Sequence, residues 1–177
     1  MKKSLLLRFL QGCLAVTLGV SSVGYVFADQ HEFSNSVDPA LQAVIDGEHR
    51  SAEHKARDQY RHPAKTLTWV GLKSDMTVVE ISPGRGWYTE ILAPYLKDKG
   101  TYYAAGPDRE SDRAYVQNLI KILDEKLTSN PDVYGKPTIT ELAPPHKVAI
   151  APEGSADMVL TFRNVHNWMK AGTADGV

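Results

Sequence analysis

The spacing of apolar positions divides the chain into helices that alternate with strands. From Val37 to Tyr60 the pattern is helical: Leu41, Val44 and Ile45 share one face, Asp38 is placed to cap, and Pro39 takes the first helical position. Residues 46–61 are densely charged, which predicts a solvated helix or an arm lying over the domain. His62-Pro63 breaks this stretch, and Ala64 to Trp69 restarts a short helix ending at Gly71.

After the turn Lys73-Ser74-Asp75, the β-branched run Met76 to Ile81 reads as a buried parallel strand. Ser82-Pro83-Gly84-Arg85-Gly86 ends it, and a helix follows at once. Trp87, Tyr88, Ile91, Leu92, Tyr95 and Leu96 recur there at helical spacing, with Pro94 bending the last turn. Thr101 to Ala105 is a second strand, turned by Gly106-Pro107-Asp108. Ser111 or Asp112 is placed to cap a helix carrying Tyr115, Leu119, Ile122, Leu123 and Leu127. Weaker strands are expected at Thr138–Leu142 and Lys147–Ile150, and a clear one at Asp157–Phe162. Strands and helices alternating in this way predict an α/β fold with a parallel sheet and flanking helices.

Composition narrows the classes. At 177 residues with 42% hydrophobic side chains, the chain suits one globular domain and is too apolar for disorder. Twenty basic against 21 acidic residues give a net charge of -1, which is no footprint for nucleic acid. Cys13 is the only cysteine, which excludes a disulfide framework and a cysteine-based zinc site. Met1 to Ala28 reads as a secretory signal: Lys2, Lys3 and Arg8, a short apolar core at residues 12–20, then Val26-Phe27-Ala28 before Asp29. Cleavage after Ala28 would remove Cys13 and leave no membrane span, in keeping with an exported, periplasmic or secreted protein. The alternative is an uncleaved amino-terminal anchor. The expected organisation is a signal at 1–28, a helical arm at 29–72 and the α/β domain at 73–177.

Chemistry concentrates at residues 78–87. A strand, a glycine-rich turn and a helix amino terminus bring free N–H groups against a ligand, favouring a carboxylate or phosphate. A P-loop would need Gly-Lys-Ser/Thr, which is absent, and a dinucleotide fingerprint would need a third glycine where Thr89 stands. An acidic residue in the strand before a looser glycine turn is a third class. A tight turn with no ligand is the alternative to all three.

Glu80 followed by Gly84 and Gly86 resembles motif I of class I S-adenosylmethionine-dependent methyltransferases, with Ser82 and Pro83 at and after the position of the first glycine. Asp157 to Val165 resembles that family's fourth strand and the loop beyond it, and Arg163-Asn164-Val165 resembles the same loop in quinone-biosynthesis methyltransferases. Residues 37–174 are similar to a group of predicted, signal-bearing bacterial methyltransferases. The likeness is carried by Arg57-Asp58-Gln59-Tyr60-Arg61-His62-Pro63, by Trp87 to Pro94 and by Phe162 to Trp168. Members of that group continue beyond this point, so a truncated product lacking the fifth strand is expected.

The resemblance implies a Rossmann-like fold and S-adenosylmethionine as cofactor, with a small molecule as methyl acceptor. It implies that Ser82, Pro83, Gly84, Gly86, Trp87 and Thr89 hold the methionine carboxylate and that Glu80 favours its ammonium. Asp108 would take the ribose or else act as a helix-entry cap, and Asn164 would border the methyl. His166 or His62 could serve as base, or be structural. His49 and His54, five apart, share no helix face, and with no HExxH or carboxylate cluster no metal is expected. Because S-adenosylmethionine is made in the cytoplasm, export leaves two other readings open: a non-catalytic cofactor-binding module and an inactive fragment.

Overall fold

Asp38 accepts the N–H of Ala40 at 2.8 Å and Pro39 stands at the first helical position, so α1 runs over Pro39–Asp46. The helix predicted to continue to Tyr60 stops here. Arg50 is drawn inward, donating to the carbonyl of Ile45 at 2.8 Å and to both carboxylate oxygens of Asp58 at 2.7 and 2.9 Å. That closure breaks the charged stretch into two single turns, α2 (Ala52–Lys55) and α3 (Asp58–Arg61). It is an arm with a buried arginine rather than a solvated helix. Proline then starts α4 (Pro63–Trp69), one residue before the expected restart at Ala64.

The computed structural model describes residues 36–177, so the expected signal lies outside the described residues. Four of the five side chains of β1 (Thr77–Ile81) are buried in succession, which requires cover on both faces. The helix α5 (Thr89–Leu96) carries the chain to β2 (Thr101–Gly106), and α6 (Ala114–Ser129) and α7 (Pro131–Tyr134) carry it to β3 (Thr138–Glu141). A long loop leads back to β4 (Met158–Thr161) on the far side of β1, followed by α8 (Val165–Ala171). All pairings are parallel and the order is β3-β2-β1-β4, with Glu80 opposite Ala104 on one neighbour and Leu160 on the other. This is a Rossmann-like α/β sheet. Strand order reverses at β1, so the carboxyl ends of β1 and β4 form a topological switch point.

Alternation along β1 sorts its side chains. Val78 faces the larger core with Tyr102, Ala104 and Leu160, against Leu41, Leu67, Ile91, Leu92, Leu96 and Leu123 of the helices. Val79 and Ile81 face the opposite side with Ala105, covered by Leu142, Ile150, Ala151 and Trp168. Pro94 lies inside α5 and has no N–H to give the carbonyl of Glu90 four residues earlier. His49 fills that place, its Nε2 donating to Glu90 O at 2.8 Å.

Two local expectations are corrected. Neither Ser111 nor Asp112 caps α6; the N-cap is Arg113, with no side-chain cap, and Ser111 only accepts the Arg113 N–H at 3.4 Å. Lys147–Ile150 forms no strand, because a single antiparallel bridge from Ala143 to Lys147 turns the chain and Ile150 O is taken by the Thr140 hydroxyl. Among the described residues no helix is long and apolar enough to cross a membrane.

Candidate functional site at the strand switch point

At the carboxyl end of β1 the backbone turns sharply: Ser82 has φ 55°, Gly84 62° and Gly86 78°. Across the switch point, Arg163 has φ 63° just beyond β4. Left-handed conformations at two non-glycine residues cost energy, and such strain gathers where a site is shaped. Asn164 holds the two turns together, its Nδ2 donating to Thr161 Oγ1 at 2.9 Å and to the carbonyls of Ser82 at 3.3 Å and Ile81 at 3.4 Å.

Between these turns lies a cavity of about 460 Å³. From the residues singled out in the sequence it gathers Glu80, Ser82, Pro83, Gly84, Trp87, Asn164 and His166. Gly84 opens onto it: a Cβ there would meet no protein atom within 4 Å. Gly86 does not line it and packs instead on Lys126, whose Cδ would lie 2.9 Å from an added Cβ. No backbone acceptor among the described residues meets the N–H groups of Gly84, Arg85, Trp87 or Tyr88.

Glu80 is buried under this turn. Its Oε2 accepts from the Tyr102 hydroxyl at 2.5 Å and from Thr89 Oγ1 at 2.8 Å. Both of these hydrogen bonds fall on Oε2, and the residue borders the cavity. Burial pushes the carboxyl up to about 7, against the lowering effect of the two hydroxyl donors. Thr89, fully buried, therefore acts through Glu80 rather than as a lining residue.

Asp108, His62, Gly86 and Thr89 are the singled-out residues that the cavity does not reach. Asp108 stands beyond β2, where Lys147 binds it at 2.7 Å together with Glu141 at 2.9 Å and Glu110 at 3.0 Å. The lysine hydrogen bond holds the Asp108 carboxyl below its ordinary value. It also accepts the N–H of Glu110 at 3.1 Å, which makes it a turn cap but not the cap of α6. His62, with φ 45°, is exposed at the start of α4. His166 is exposed but borders the cavity.

The arm supplies what the sequence reading missed. Arg57, at the N-cap of α3, and Arg61, its last residue, line the cavity, joined by Arg85 of the glycine turn and by Arg163. Arg61 lies over the Trp87 ring at 4.4 Å, and Tyr88 stacks on Phe162 with centroids 3.6 Å apart. The Trp87 indole donates to His54 O at 2.9 Å, and Glu90 receives His54 Nδ1 at 2.8 Å and the Lys126 ammonium. The available signal was the arginine spacing in Arg57-Asp58-Gln59-Tyr60-Arg61, one turn apart and so on one helical face. No group of three His, Cys, Asp or Glu among the described residues could hold a metal. Comparison with protein families, with curated proteins and with solved structures finds no match to this chain.

Proposed function

We propose that the protein is an S-adenosylmethionine-dependent methyltransferase acting on a small-molecule acceptor. The observation that carries this reading is the buried Glu80, its two hydrogen bonds both on Oε2, bordering the cavity beside the open face of Gly84 at the switch point. A carboxylate so placed suits an ammonium group, while the N–H groups of Gly84, Arg85, Trp87 and Tyr88, which meet no backbone acceptor among the described residues, suit the adjoining carboxylate. A volume of about 460 Å³ falls within the roughly 300–1,000 Å³ of small-molecule sites. The cofactor supplies an electrophilic methyl on a sulfonium, so the protein's work is alignment and exclusion of water.

In this reading Glu80, Ser82, Pro83 and Gly84 hold the amino-acid end and Trp87 walls the cavity. Asn164 keeps the two turns in register. His166 is the imidazole at the cavity rim free to take a proton from an acceptor, because His54 is tied to Glu90. Asp108 holds Lys147 through Oδ1, so ribose hydroxyls would have to be met by Oδ2, and Asp108→Ala is expected to weaken cofactor binding if it does so and to leave it unchanged if Asp108 serves only the Lys147 cluster. Calorimetric titration with S-adenosylmethionine and with its demethylated product tests the reading: both should bind the wild type, and Gly84→Val should bind neither while remaining folded. Absence of binding to the wild type would overturn it. Turnover on an acceptor separates an enzyme from a non-catalytic binding module.

A further inference from the structure

Four guanidinium groups line the cavity, against two carboxylates, Glu53 and Glu80. The arginines that form ion pairs among the described residues are Arg50 and Arg109, and neither belongs to this lining. Arg61 feels both Arg57 and Arg163: its guanidinium is held below its ordinary value first by burial and then by these two charges, though it stays protonated at any working pH. Three like charges, from the two ends of α3 and the loop after β4, therefore share this wall with no ion pair among the described residues, and the Asp58 carboxylate, already paired with Arg50, offsets only part of the repulsion at Arg61. Such an arrangement is unfavourable when empty of an anion and favourable once one binds. It also sets a condition on the cofactor, whose sulfonium adds a further positive charge to the same cavity.

We propose that the methyl acceptor is an anion, bearing a carboxylate or phosphate group held by Arg57, Arg61 and Arg163; this rests on the methyltransferase reading above. Fork-shaped guanidinium donors match both oxyanions. The aromatic wall of Tyr88 and Phe162 gives the body of the acceptor an apolar surface to lie on. Arg85, on the glycine turn, stays on the cofactor side. Anion and cofactor are then expected to bind with positive coupling, each reducing the charge the other must face.

The test is calorimetric titration of the full chain with two probes, inorganic pyrophosphate and citrate, each with and without saturating S-adenosylmethionine. At least one probe should bind, with affinity falling as sodium chloride is raised, and should increase cofactor affinity several-fold. Whichever binds tells phosphate from carboxylate preference. Arg57→Gln and Arg163→Gln, both at exposed positions outside the core, should each reduce probe affinity about tenfold or more, while cofactor affinity without the probe is unchanged or higher. Melting curves establish that both variants fold. Failure of both probes to bind, or binding unaltered in the double variant, overturns the proposal. Competition between probe and cofactor also overturns it, since the arginines would then hold the cofactor's own carboxylate. If a probe binds the wild type but the cofactor does not, the methyltransferase reading fails and an anion site remains.

Discussion

Tyr102 donates its hydroxyl to Glu80 Oε2 at 2.5 Å, so strand β2 fixes the carboxylate that β1 presents to the cavity. The contact does not offset the burial, and the Glu80 carboxyl is raised from 4.5 to about 7. A folded-state value above the unfolded one means that the native protein holds this proton more tightly. Stability contributed by the protonated form is complete below about pH 4.5 and is lost as pH rises to about 7. The loss is on the order of 3 kcal/mol at most. Glu80→Gln should flatten this slope in urea denaturation between pH 5 and 8. Cofactor affinity should run the other way, rising from pH 6 to 8 as Glu80 ionises, and Glu80→Gln should abolish that rise.

The two turn glycines should separate. Gly84→Ala meets no atom, so its stability loss is the left-handed backbone alone, about 1–2 kcal/mol. Its main effect should be on cofactor affinity. Gly86→Ala adds a clash with the Lys126 stem and disturbs the Lys126–Glu90 pair, so the larger loss of stability, up to about 3 kcal/mol, should fall there. Denaturation and calorimetry on both variants check the contrast.

Ser82 adopts φ 55° with its N–H already bound to Ala105 O at 2.9 Å. Replacing it with glycine keeps that bond and removes the Cβ strain. Ser82→Gly is expected to stabilise the fold by about 1 kcal/mol, seen as a raised urea midpoint.

His49→Ala leaves the Glu90 carbonyl without its donor and should cost about 1–3 kcal/mol. Pro94→Ala restores an N–H four residues along the helix. In that background His49→Ala should cost measurably less, and a double-mutant cycle in urea reads the difference.

Export is tested at the amino terminus. If Lys2, Lys3, the apolar core and Val26-Phe27-Ala28 direct secretion, sequencing of the mature protein should begin at Asp29. A start at Met1 with recovery in the cytosol would overturn this expectation and remove the difficulty of cofactor supply.

Short-range patterns were enough for the sheet. The β-branched run at Met76–Ile81 and the apolar stretches at 101–105 and 157–162 each became a strand; in β1 burial on both faces leaves a continuous signature, whereas β4 keeps its apolar sequence with Val159 exposed. The glycine turn was legible for the same reason: it must follow β1 directly. What escaped depends on contacts across the chain. Nothing local to Arg50 says that Asp58 and Ile45 O will pull it inside and end α1. Arg57 and Arg61 read as a solvated charged stretch until the docked arm brings them over Trp87. Asp108 stands slightly late after Glu80 for the role the resemblance implies, and its bond to Lys147, supplied by a loop read as a strand, could not be read locally.

The arm that carries Arg57 and Arg61 has its own consequence. Neither α2 nor α3 buries a residue, and both are fastened through polar groups: Arg50 to Asp58, His54 to Glu90, and the indole to His54 O. Segments with so little apolar cover open at lower free energy than the core beneath them. Amide hydrogens of residues 52–61 should thus exchange well before those of β1 and α5. Half the positive wall of the cavity belongs to this early-opening unit, so ligand entry and the cavity's charge are governed by one foldon rather than by separate parts.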